Sequence, residues 1–215
     1  MAGGGILSPL LPWDYPDAVT RLALRAMRDW PGWVAGIQNR SGLDAEYRVC
    51  GMRVLRAARA GAALDWCVRH GLDARLEADA SSLWLPGVAQ ARNPRIAAAL
   101  RAACIGAGAR LHESQTDYTL SFEGSRVAAL QFDGQTCAVD QLVIATGAWA
   151  GLPLAGMTPV PHIRPIRGQM LLFRLAPDTL DTILYCDGLY LIPRLDGHIL
   201  VGSTLEDAGF DKSTD

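Results

Sequence analysis

Apolar residues recur at helical spacing in three stretches of the chain and at strand spacing through most of its second half. Behind Pro16-Asp17, residues Val19, Leu22, Ala23, Ala26, Met27 and Trp30 share one helical face, with Arg21, Arg25 and Arg28 mostly off it. Pro31-Gly32 is expected to end this helix. Glu46–Leu55 reads as extended, and a second helix is expected from Ala57 to His70, stopping at Gly71. Asn93-Pro94 supplies an N-cap and a first-turn proline for a third, which buries Ile96, Ala99, Leu100, Ala103 and Cys104 and stops at Gly106 to Gly108.

The period then changes. Tyr118–Phe122, Val127–Phe132 and Thr136–Val139 predict short strands, separated by the turn pairs Glu123-Gly124 and Asp133-Gly134. The unbroken apolar run Leu142-Val143-Ile144-Ala145 predicts a strand buried on both faces. After a Pro/Gly-rich joint at Gly151–Pro161, strands are expected at Met170–Arg174, Thr182–Tyr185, Tyr190–Pro193 and His198–Gly202. An α/β part interleaved with an α+β part follows from this order.

Composition narrows the field modestly. Half of the 215 residues are hydrophobic and the net charge is −2, which gives no footprint for nucleic acid or an anionic membrane surface. No apolar run approaches the ~20 residues of a membrane span. Five scattered cysteines without a C-x-x-C pair point to reduced, mostly buried thiols and a cytoplasmic protein. Four histidines lie far apart, so no metal site is expected.

The candidate chemistry begins at Gln141–Gly151, QLVIATGAWAG. Its apolar run ends in Thr146-Gly147, and ligands of doubly wound sheets sit at the carboxyl ends of strands. This reads as a nucleotide or flavin edge, yet no G-x-G-x-x-G occurs in the 215 residues. Four further segments resemble, in order and spacing, the glycine oxidase branch of the FAD-dependent D-amino acid oxidase family. They are Ala2–Pro9, Val88–Leu100 with Gly108–Leu111, Pro165–Gln169, and Tyr190–Arg194 followed by Gly197–Thr204.

The resemblance implies a partial FAD-binding doubly wound domain from 1–40 and 92–155, lacking the G-x-G-x-x-G unit. A mixed or antiparallel substrate-domain sheet would come from 41–91 and 156–215. It implies FAD contacts at Gly4, Gly5, Ile6, Asp117, Thr146, Gly147 and Trp149. Asp117 departs from the apolar residue usual there. Tyr190 would position the substrate, and Ile6 and Leu205 would line its pocket. Arg167 and Arg194 match structural positions of the family rather than its carboxylate clamp.

The implied reaction is oxidative deamination of a small amine such as glycine, by hydride transfer to FAD and reoxidation by O2. In glycine oxidases the imine can feed thiamine biosynthesis, and the full-length enzyme can be a homo-oligomer. Relative to the family the chain is expected to be truncated at both ends and, alone, inactive. The alternatives left open are a D-amino acid dehydrogenase, a sarcosine-oxidase-like enzyme, and a non-catalytic fragment or interaction module. For the residues themselves, a glycine-rich terminus would also explain Gly4 and Gly5, a strand-to-loop turn Thr146 to Trp149, and a cross-strand aromatic Tyr190.

Overall fold

The computed structural model describes residues 3–8, 11–115, 117–152, 162–176 and 179–214. In chain order the helices are α1 (Asp17–Ser41), α2 (Ala60–Arg69) and α3 (Asn93–Gly106). The strands are β1 (Arg48–Val49), β2 (Met52–Val54), β3 (Arg75–Leu76), β4 (Leu83–Leu85), β5 (Ala89–Gln90), β6 (Tyr118–Glu123), β7 (Arg126–Phe132), β8 (Gln135–Ala138), β9 (Met170–Arg174), β10 (Ile183–Cys186), β11 (Leu189–Pro193) and β12 (His198–Gly202). Two compact units emerge: Met1–Ala109 with Gly168–Thr204, and Arg110–Arg167 with Leu205–Asp215. Within the first of these, α3 packs on α1.

The first unit holds a seven-stranded sheet in the order β3-β4-β2-β10-β11-β12-β9. Only the β2–β10 pair is parallel; the other neighbours are antiparallel. Alternation puts Met52 and Val54, Leu83 and Leu85, and Tyr190 and Ile192 on one face, all buried. Ala60, Ala63 and Cys67 of α2 join them in a single core. Each large aliphatic side chain buried there stabilises the unit by about 1.5–3 kcal/mol.

Cys67 is completely enclosed, and burial pushes its thiol up from 9.0 to about 11. The folded protein therefore resists thiolate formation there. Alkylation at about pH 8 is expected to spare Cys67 until the chain unfolds. Stability from this group should be complete below about pH 9 and fall as pH rises through about 11. Mass mapping of the alkylated thiols checks the first expectation and urea titrations across that range the second.

Helix α1 corrects two expectations. It does not stop at Pro31-Gly32 but runs to Ser41, where Gly42, at φ 69°, caps it by donating its N–H to the Gln38 carbonyl at 2.8 Å. Pro31 removes one helical hydrogen bond, and Ile37 beyond it packs with Ala99 and Ala103 of α3, which holds the continuation in place. The buried residues of α1 are Thr20, Val34 and Ile37, whereas Val19 and Leu22 of the expected face are exposed. The local pattern identified an amphipathic helix; tertiary contacts chose which part is buried. At α3, Asn93 is the first helical residue rather than a side-chain cap, and its amide donates instead to the Gly3 carbonyl at 2.6 Å.

In the second unit β6, β7 and β8 form an antiparallel meander. Both turns span two residues, Gly124-Ser125 and Asp133-Gly134. Asp133 and Gly134 at φ 47° and 70° give the left-handed pair that a tight hairpin needs. The expected strand at Leu142–Ala145 does not form: the segment has no ladder partner among the described residues and Val143 is 82% exposed. An apolar run signals a preference for burial, but a strand also needs a neighbour, and β8 pairs only with β7 among the described residues.

Candidate functional site

Three of the predicted site residues meet in the first unit. The Tyr190 ring lies on the core face of β11, opposite Gly202 of β12, and is 7% exposed. A Cβ on Gly202 would stand 3.0 Å from the Tyr190 hydroxyl, so the glycine gives the ring its seat. Gly4 also approaches this ring: a Cβ there would lie 2.5 Å from Ile192 Cδ1 and 3.1 Å from the Tyr190 ring. The Tyr190 hydroxyl has one hydrogen-bond partner among the described residues, the weakly accepting Met170 thioether at 3.7 Å. Ile6 pairs with Gln90 in an isolated bridge and packs on the same core.

The segment Gly3–Leu7 is stitched down residue by residue. Ala91 donates its N–H to the Gly5 carbonyl and Leu7 to that of Ala89, both at 2.9 Å. Gly5 sits at φ 76°, and a Cβ there would be 2.0 Å from the Ala91 carbonyl oxygen. Close approach by the protein's own backbone and side chains therefore accounts for glycine at both positions.

Arg194 was legible only as a structural position, and the structure shows what it holds. One guanidinium nitrogen donates to the buried Gly4 carbonyl and another to Gln90 Oε1, each at 2.7 Å. Gln90 in turn donates to the Cys50 thiol at 3.2 Å. Burial lowers the Arg194 pKa, and the neighbouring Arg92 charge adds to this. Arg92 itself bridges Asp196 at 2.7 Å and the nearly buried Glu46 at 3.3 Å. Its hydrogen bond holds the Asp196 carboxyl far below the usual carboxylate range. The sequence marked Arg194 through the Tyr190–Arg194 segment but not what it holds, since its partners lie about a hundred residues or more away.

The remaining predicted residues lie in the second unit. Thr146 borders an apolar cleft of about 270 Å³ between the Leu120, Leu130 and Phe132 side of the meander and the Leu142–Ala145 run. Gly147–Trp149 forms one 3-10 turn, with Gly147 at φ 57° and open space where a Cβ would be. Trp149 stacks on Phe210 at 5.5 Å and carries the Lys212 ammonium 5.0 Å from its centroid. Asp117 is exposed and lines a separate hollow with Tyr118 and Gln131. Leu205 is 84% exposed. Arg167 is committed to Glu206 and Asp211, which accounts for it structurally. Among the described residues no cluster of three or more His, Cys, Asp or Glu could hold a metal, and no helix is long and apolar enough to cross a membrane.

Comparison with known proteins gives this arrangement its context. The family described as FAD dependent oxidoreductase matches residues 1–215, the entire sequence. The chain belongs to that family. Glycine oxidase of Pseudomonas aeruginosa is 36% identical over 230 residues, covering 99% of this chain and 62% of that protein. Glycine oxidase of Pseudomonas putida is likewise 36% identical, with the same coverage. The chain thus spans less than two thirds of the length of these relatives. The crystal structure of glycine oxidase from Geobacillus kaustophilus superposes with a TM-score of 0.85 over 99% of this chain and 63% of its own. At 23% identity that likeness speaks for the fold, an FAD-oxidoreductase fold built of helices with mixed and antiparallel sheets.

Proposed function

We propose that this chain is the substrate-facing part, with a portion of the cofactor-facing part, of an FAD-dependent oxidase that deaminates a small amine such as glycine. The observation that carries the reading is Tyr190: its ring packs closely against Gly4 and Gly202, while its hydroxyl has only a thioether partner among the described residues. A phenol so placed has a proton to offer a substrate carboxylate, and a rigid ring to orient it. Ile6 and Leu205 would add apolar pocket walls.

In this reading 1–40 and 92–155 serve FAD, and 41–91 and 156–215 serve the substrate. Gly4, Gly5, Ile6, Asp117, Thr146, Gly147 and Trp149 would hold the flavin. What supports the fit is the open left-handed turn at Gly147 beside an exposed apolar run, where a planar ring meets no Cβ. Bound FAD would accept a hydride from the amine α-carbon and pass the electrons to O2, giving hydrogen peroxide and an imine that hydrolyses to an α-keto acid and ammonia. The chain's own residues bind and orient; no side-chain base is required. The enzyme would work in the cytoplasm, as a homo-oligomer, with O2 and an amino acid as its partners.

The test is a chimera in which residues 1–215 replace the matching segment of the Pseudomonas aeruginosa glycine oxidase. Peroxide release from glycine is expected, and Tyr190→Phe should raise KM by about fivefold or more with a smaller change in kcat. The 215-residue chain alone, supplied with FAD, is expected to release none, since it contains no G-x-G-x-x-G. A flavin-loaded chimera that releases no peroxide from glycine or sarcosine would refute the oxidase reading. Turnover with a quinone but not O2 would make it a dehydrogenase.

A further inference from the structure

Across the core face of the seven-stranded sheet one register row reads Val54, Tyr185, Tyr190, Gly202, Met170. Its Val54–Tyr185 end opens into a cleft of about 630 Å³ that shares no lining residue with the site proposed above. That volume is in the range of small-molecule sites. One wall is a single stripe along α2: Arg59 just ahead of it, then Ala62 and Ala63, Trp66, and Arg69. Trp13 and Tyr185 supply further aromatic surface.

The charges in this cleft are unevenly spent. Three arginines, Arg56, Arg59 and Arg69, face two aspartates, Asp14 and Asp187. Arg56 is occupied, pairing with Asp187 at 2.8 Å and donating to the Cys186 sulfur at 2.9 Å. The Arg59 and Arg69 guanidinium groups have no ion-pair or hydrogen-bond partner among the described residues. Trp66 lies between them along the stripe, its ring braced by stacking on His70 at 3.9 Å and 17°. A rise over ten positions sets the two arginines about 15 Å apart, a span their flexible stems narrow to the length of a flat fused-ring ligand.

We propose that this cleft is a binding site for a flat aromatic dicarboxylate, with Arg59 and Arg69 taking the two carboxylates and Trp66 and Trp13 the ring. Guanidinium forks match carboxylates bidentately, and an aromatic wall selects a planar body over an aliphatic one. The alanines at 62 and 63 leave the space in which such a ring lies. This site does not depend on the oxidase reading.

Isothermal titration of the full chain with naphthalene-2,6-dicarboxylate tests it, the neutral diamide serving as control. One-to-one binding is expected, about tenfold tighter than the diamide and weakened by added KCl. Arg59→Asn and Arg69→Gln should each weaken it by up to about fivefold and together by about tenfold. Asparagine is chosen because Arg59 sits at φ 58°, which it tolerates; both side chains are exposed and unpaired, so the fold is retained, and far-UV circular dichroism verifies that. No binding at millimolar ligand, equal affinity for the diamide, salt-insensitive binding of the unaltered chain, or full affinity in the double variant would each overturn the proposal.

Discussion

Replacing Gly5 with alanine is expected to destabilise the first unit by about 2–4 kcal/mol, among the largest effects available from adding one methyl group. Two effects act together. The left-handed backbone at φ 76° costs a residue with a Cβ about 1 kcal/mol. The new Cβ would also stand 2.0 Å from the Ala91 carbonyl oxygen, a backbone atom that cannot swing aside. The segment must therefore move off β5. That loosens the Ala91-to-Gly5 and Leu7-to-Ala89 hydrogen bonds, worth about 0.5–1.5 kcal/mol each.

Gly61 is the control. It lies inside α2 with no atom within 4 Å of the place a Cβ would take, so Gly61→Ala should stabilise by about 0.5–1 kcal/mol. Urea unfolding followed by tryptophan fluorescence reads both. A Gly5→Ala protein within about 0.5 kcal/mol of the parent would mean that the N-terminal segment is not seated on Ala91 as described.

The strands that the chain advertises most clearly are those whose partner is next in sequence. His198–Gly202, paired with the strand just before it, was legible to the residue, and the meander nearly so, because turn pairs such as Asp133-Gly134 fix register locally. What depends on distant partners was not legible. The Leu142–Ala145 run carries a strand's composition but no ladder, and α1 continues past a proline because Ile37 finds α3. The candidate site divides in the same way. The resemblance singled out Tyr190 and the glycines, but the reason for glycine at Gly4 and Gly5 was not legible. It lies in contacts with Ile192, Tyr190 and Ala91, far along the chain.

The second large effect is expected at Arg194. Arg194→Met removes the fork that holds Gly4 and Gln90 and leaves two buried acceptors without a donor, at about 1–3 kcal/mol each. Against this runs some relief, because methionine no longer has to bury a charge beside Arg92. The acceptors dominate, since both Gly4 and Gln90 are buried, and a net loss of about 2–3 kcal/mol is expected. Arg194→Lys should recover only part of it: an ammonium keeps the charge but cannot span both acceptors in the fork's plane. The consequence is local before it is global. With Gly4 released, the segment that covers the Tyr190 ring opens more often, so amide hydrogen exchange at Leu7 and Ala91 should quicken while that in β6 and β7 does not. Unchanged exchange at those two amides, with unchanged urea stability, would show that Arg194 merely rests against the segment, and Tyr190 would then owe its position to the β11–β12 hairpin and Gly202 alone.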